Sequence, residues 1–154
     1  MKAIQIVIYA TIVSLLYACD SSTHYSKSHT LPQGIWAEAL LFEPTIENTN
    51  QKYTCTIAIR HLSAIRIVEL PLKIEIKSPS GKSETHLFHF PFRNEKGELI
   101  GEAIGDICDT QMQLDKALNF KEKGTYQISL SPNAEGANQI GGIVDLHLKI
   151  KIQD

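Results

Sequence analysis

At 154 residues, with 15 Lys and Arg against 17 Asp and Glu, the chain carries a formal charge of −2, and 43% of it is hydrophobic. That is enough apolar material for one domain with its own core. A charge this mild and scattered argues against a nucleic-acid partner, which needs a clustered basic face, and gives no reason to expect adhesion to anionic lipid.

Met1-Lys2 starts the chain with a positive charge, and Ala3 to Leu16 then runs almost without polar residues. Leu16-Tyr17-Ala18-Cys19 leads directly into polar Asp20-Ser21-Ser22-Thr23. Charge, short apolar run and small residue make an export signal; the run falls short of the roughly 20 residues a bilayer span needs. A cysteine directly after Ala18 points to a bacterial lipoprotein signal: residues 1–18 are the leader, and Cys19 is lipidated as the mature N-terminus. An ordinary cleaved signal and an uncleaved anchor are the alternatives, and the former leaves Cys19 without a role. At roughly 0.8 kcal/mol per buried methylene, two acyl chains make such attachment effectively permanent. Losing Lys2 with the leader moves the net charge from −2 to −3. No second apolar run of spanning length follows, so the rest of the chain is expected in water. Asp20 after the cysteine, with no dense acidic run behind it, favours a periplasm-facing position over surface display and leaves the membrane itself open.

Residues 19–33 are mostly Ser, Thr, His and Lys and end in Leu31-Pro32-Gln33-Gly34. They read as a lipidated flexible tether ahead of a domain over 34–154. In that domain the period is two. Tyr53, Cys55, Ile57 and Ile59 alternate with Thr54, Thr56, Ala58 and Arg60, and Val68, Leu70, Leu72, Ile74 and Ile76 with Glu69, Pro71, Lys73, Glu75 and Lys77. Phe88, Phe90 and Phe92 follow, and Val144, Leu146, Leu148, Ile150 and Ile152 close the chain. Successive side chains of an extended chain point to opposite faces, so each run presents one apolar side. Pro79-Ser80-Gly81-Lys82, Asn94-Glu95-Lys96-Gly97, Lys121-Glu122-Lys123-Gly124 and Gly141-Gly142 supply the turns. The expected fold is all-β: an antiparallel β-sandwich of about seven or eight strands, immunoglobulin-like or jelly-roll-like. Pro71 lacks an amide hydrogen and places its strand at an edge or a bulge. Gln111 to Asn119 is the one short stretch open to a helical reading.

Candidate sites are few. Export permits a disulfide between Cys55 and Cys108; two buried thiols acting as small hydrophobes are the alternative. Trp36, the single tryptophan, either seals the core or offers a sugar-stacking platform. His86 and His89 are spaced i, i+3, which on a strand puts them on opposite faces and speaks against a shared metal. His147 is expected on an exposed face. Asp106, Asp109 and Asp115 cluster in sequence but match no defined calcium loop. There is no Gly-x-Ser-x-Gly turn, phosphate loop or His-Glu-x-x-His helix. Glu38, Glu43, Glu47 and Glu69 supply carboxylates in a number any chain this acidic would offer. No catalytic residue, cofactor site or metal site is therefore assigned, and enzymatic activity is not expected.

One ordered set of landmarks resembles a known family. Leu31-Pro32 and Trp36 follow the cysteine, then Phe42 with Ile46-Glu47-Asn48-Thr49, Tyr53 through Arg60-His61, and Pro79-Ser80-Gly81. Gly97, Gly101 and Gly105-Asp106 come next, then Phe120, Gly124-Thr125-Tyr126 and Gly142-Ile143-Val144-Asp145. In this order behind a lipoprotein signal, the set is similar to the gliding-motility lipoprotein GldH family of Bacteroidota. The resemblance implies an envelope lipoprotein associated with gliding and type IX secretion machinery, bound to the membrane through Cys19 and to other envelope proteins. The expected function is thus a non-enzymatic structural or assembly component; a glycan-binding sandwich built on Trp36 is the alternative, and calcium-stabilised adhesion a third reading.

Overall fold

The computed structural model describes residues 23–114, 118–133 and 139–153. Its strands in chain order are β1 (Thr23–Thr30), β2 (Ile35–Trp36), β3 (Leu40–Phe42), β4 (Thr45–Ile46) and β5 (Lys52–Leu62). Then come β6 (Glu69–Lys77), β7 (Ser83–Pro91), β8 (Glu102–Ile104) and β9 (Ile107–Gln113). The last four are β10 (Gly124–Thr125), β11 (Gln127–Pro132), β12 (Ile140–Gly141) and β13 (Ile143–Gln153). Nine of them build two main sheets, ordered β1-β13-β5-β9-β8 and β3-β11-β6-β7; β10-β4 and β12-β2 are two-residue ribbons. Every pairing is antiparallel. The chain is the all-β sandwich its alternation predicts.

The core forms where the apolar faces of the two sheets meet. Cys55, Ile57, Ile59, Leu146, Leu148 and Ile150 come from the five-stranded sheet, and Phe42, Leu70, Leu72, Ile74, Phe90 and Leu130 from the other. Burying one such side chain contributes about 1.5–3 kcal/mol. Two positions depart from the simple alternation. Val68 is 57% exposed because it precedes β6 and turns its carbonyl to Phe92 N and Arg93 N. In β13 the register shifts between Ile143 and Asp145, so Ile143 is buried and Val144 only half-buried.

Pro71 requires a correction. Its strand β6 is central, between β11 and β7. Pro71 O accepts Asn133 N (2.8 Å), just past the last β11 pair, Pro132↔Leu72. Its missing donor therefore faces the end of β11, where no ladder bond is lost. The helical reading of Gln111 to Asn119 also fails at its start, since Gln111–Gln113 complete β9; residues 115–117 lie outside the described residues.

The tether is shorter than expected. Residues 23–30, read as flexible, form β1 and pair with β13 from Thr23↔Lys151 to Thr30↔Asp145. An edge strand needs few apolar groups when its neighbour supplies the ladder. The inward side chains of β1 then reach the other sheet. Tyr25 packs on the core, and its hydroxyl accepts Glu43 N (3.0 Å). The His29 ring donates to Leu41 O (2.9 Å) and meets Phe42 edge-on with centroids 4.8 Å apart. Deleting residues 23–30 should lower the urea midpoint, with a stability loss of about 2 kcal/mol or more, the scale of uncovering one large apolar side chain. It should also deprotect β13 amides in hydrogen exchange. Unchanged values would return the segment to a tether.

Candidate functional site

The same alternation that buries one face of the five-stranded sheet lays out a polar strip on the other. Thr30, Asp145, Arg60, Asp109 and Glu102 are register partners across all five strands. Arg60 Nε and Nη2 each donate to Asp109, both at 2.8 Å, in a bidentate fork. Thr30 Oγ1 donates to Asp145 Oδ2 at 3.1 Å. Next to the strip, Ala58 is too short to fill its place. Ser28, Arg60, Asp109, Asp145 and His147 wall a shallow depression of about 360 Å³ around it. His147 is half-buried rather than exposed, and its Nε2 lies 2.7 Å from Ser26 Oγ. On the other side of the strip is an apolar row, Leu62, Ile107 and Ile104, in which Leu62 is 42% and Ile104 83% exposed.

The electrostatics follow from this geometry. The hydrogen bonds from Arg60, reinforced by its charge, hold the Asp109 carboxyl below its ordinary range, and Asp109 in turn raises Arg60. The one guanidinium of the strip is thus engaged, while Asp145 and Glu102 leave it acidic. The surface suits a partner offering cationic or hydrogen-bond-donating groups beside an apolar contact.

The residues singled out from the sequence have other places. Trp36 is fully buried, and its Nε1 donates to Glu38 O at 2.8 Å; it seals the core and offers no sugar a platform. Cys55 and Cys108 are both buried free thiols. Cys108 lies opposite His61, six residues along β5 from Cys55. At about 3.3 Å per residue, that is roughly 20 Å, far beyond the ~7 Å Cα limit of a disulfide, so the bridge is excluded. Burial pushes the Cys55 thiol up to about 12, which keeps it protonated near neutral pH. His89 pairs with Glu69 (2.9 Å), while His86 lies 3.7 Å from Glu84 on the opposite face. Asp109 is committed to Arg60, Asp106 sits in the β8–β9 turn, and Asp115 and Cys19 lie outside the described residues. Among the described residues, no group of three His, Cys, Asp or Glu stands close enough to hold a metal.

Sequence reading missed one buried network. His61 is 0% exposed; its Nδ1 donates to Leu62 O (3.0 Å), and its Nε2 meets Thr110 Oγ1 (3.0 Å). Thr110 donates to Ile100 O, and Phe92 packs edge-on against the ring. A Cβ on Gly101, whose φ is +114°, would stand 2.2 Å from Asp109 O, so the crossing of this segment over β9 requires glycine. Extending the Cys55-Ile57-Ile59 alternation by one step is the signal that could have put His61 on the inner face; nothing local names Thr110 or Ile100 as its partners. With His61, Thr110 and Cys108 all fully buried, the network braces β9 and presents no group to solvent.

Two outcomes test this geometry. Thiol labelling after denaturation without reductant should find both Cys55 and Cys108 free, and reductant should leave the melting temperature unchanged. The Arg60–Asp109 pair is half exposed and salt-screened, so its contribution is small. Because the folded carboxyl sits below its unfolded value, that contribution is present above the ordinary carboxylate range and lost as pH falls through the folded value. Arg60→Ala should therefore destabilise slightly at neutral pH, less at high salt, and not at all in acid.

The comparisons with known proteins agree with one another. The model of the GldH lipoprotein family matches residues 23–150. The chain is similar, at 23% identity over 159 residues, to a "Gliding motility lipoprotein GldH homolog" of Christiangramia forsetii, covering 99% of this chain and 98% of that protein. It is also similar, at 22% identity over 147 residues, to the "Gliding motility lipoprotein GldH" of Flavobacterium johnsoniae, with 91% of each covered. The family match spans β1 and runs nearly to the end of β13, so the whole sandwich just described is the family's domain, and the chain belongs to the GldH lipoprotein family.

Proposed function

We propose that this protein is a lipid-anchored, periplasm-facing component of the cell envelope that acts by binding other envelope proteins in machinery of the gliding-motility and type IX secretion kind. The observation that carries the reading is the family match over residues 23–150 behind a lipoprotein signal whose Cys19 stands four residues before β1. Relatives named for gliding motility support the process. The non-enzymatic part rests on how the polar groups are used. Arg60 is engaged by Asp109, His89 by Glu69, and His61 is sealed inside, while the strip beside Leu62 and Ile104 has the mixed apolar and polar character of a contact surface. The glycan-binding alternative loses its motivation with the burial of Trp36.

Metabolic labelling should place palmitate on the wild type and none on Cys19→Ala. Cross-linking followed by pull-down from membranes should recover motility or secretion proteins, and deletion should impair secretion. Recovery of none, together with normal secretion on deletion, would overturn the reading.

A further inference from the structure

β1 and β8 are the edges of the five-stranded sheet, β3 and β7 those of the four-stranded one. An open edge is a row of unpaired amide and carbonyl groups, and proteins guard it with short strands, lysines, proline or bulges. β3 and β8 have three residues each, and Leu41 O of β3 is taken by Lys27 Nζ (3.3 Å) and His29 Nε2 (2.9 Å). β1 carries Lys27 and a register shift between Thr23 and Tyr25. β7 has none of these guards along its middle. Its 9 residues, Ser83 to Pro91, include no lysine and pair with β6 without a shift, and its one proline stands at the last position.

The phase of the β6–β7 ladder fixes which groups are free. Ser78 N donates to Lys82 O and Phe92 N to Val68 O, both at 2.8 Å, at the two ends of one register. Bonded positions recur every second residue. Glu84, His86, Phe88 and Phe90 therefore bond to β6, while Thr85, Leu87 and His89 turn their N–H and C=O outward. The side chains of these three are exposed as well. Leu87 is 64% exposed, second only to Ile104 among the large apolar side chains described.

The free positions are symmetric about Leu87. In an antiparallel pairing with a second β7, a two-fold axis at Leu87 sets Thr85 against His89 of the second copy and Leu87 against its own counterpart. Each of these pairs exchanges both hydrogen bonds, and the same patch serves both copies. Other axes fit worse. An axis at Thr85 sets Leu87 against Ser83 and His89 against Gly81, outside the strand. An axis at His89 sets that ring against itself and Leu87 against Pro91, which has no amide to give. With the axis at Leu87 no like charges meet. The one carboxylate of the strand, Glu84, comes beside Phe90 of the second copy, and half-buried Phe88 beside its His86. His89 keeps Glu69, and Lys73 keeps Glu75, one strand further in.

We propose that β7 is a dimerisation edge, which joins the four-stranded sheets of two copies of this chain into one continuous sheet with Leu87 on the two-fold axis. The match of outward donors to outward acceptors about one exposed leucine is what names a second copy as the occupant. The axis stands normal to the sheet, so both five-stranded sheets and both β1 strands stay on the same side of it, and two copies on one membrane can pair. A contact one strand wide belongs with the smaller, exchanging interfaces. The pairing depends neither on lipidation of Cys19 nor on the process the protein serves.

The test uses Cys19→Ser protein of the mature length, which carries no lipid. Sedimentation should show a monomer–dimer equilibrium that shifts with concentration. Leu87→Lys places like charges on either side of the axis and should weaken the dimer about tenfold or more. Leu41→Lys, at an exposed leucine on the other edge of the same sheet, should leave it unchanged. If a lysine variant does not fold, Leu87→Cys reads the register directly. A bonded pair on the axis holds its Cα atoms about 5.5 Å apart, within disulfide reach. Leu87→Cys should therefore oxidise to a covalent dimer, and Leu41→Cys should not. A protein that stays monomeric at every concentration, or a dimer indifferent to Leu87→Lys and not trapped by Leu87→Cys, overturns the proposal. So does Leu87→Cys that, in cells, cross-links to a different protein and never to itself; that result would make β7 an edge for a partner's strand.

Discussion

The antiparallel ladder between β5 and β13 is the constraint on which the other features depend. It runs from Ile143↔His61 to Gln153↔Lys52 at the centre of the five-stranded sheet. Side chains alternate with a period of two, so a slip of one residue would exchange every inner group for an outer one. Ile57, Ile59, Leu146 and Leu148 would then face water, and Arg60, Asp145 and His147 the core. Burying unpaired charges would cost far more than any single packing defect, so the register is strongly specified. The bulge between Ile143 and Asp145 ends the regular ladder where the strand turns Ile143 inward.

With that register set, the flanking strands have little choice. β1 docks on the free side of β13, and β9 on the free side of β5. Their outer residues fall into line with Asp145 and Arg60, and their inner ones reach the opposite sheet. The His61–Thr110–Ile100 chain of hydrogen bonds then fastens β9 to the segment before β8. The polar strip across five strands is a consequence of register. It was assembled from residues as far apart in sequence as Thr30, Asp109 and Asp145.

This explains what could be read in the sequence and what could not. The long strands were legible because Cys55-Ile57-Ile59, Leu70-Leu72-Ile74-Ile76 and Leu146-Leu148-Ile150 each mark a buried face by local alternation. β1 was not, because its stability comes from β13, more than a hundred residues later, and its sequence is polar throughout. Trp36 was left with two readings for a related reason: a lone aromatic at a strand start suits a core, and a platform remains the alternative. Burial by the β12–β2 ribbon and a backbone acceptor at Glu38 decide between them. The cysteines show the limit most plainly. Their compartment permits a bond, and only the register of β5 on β9 reveals six strand positions between them.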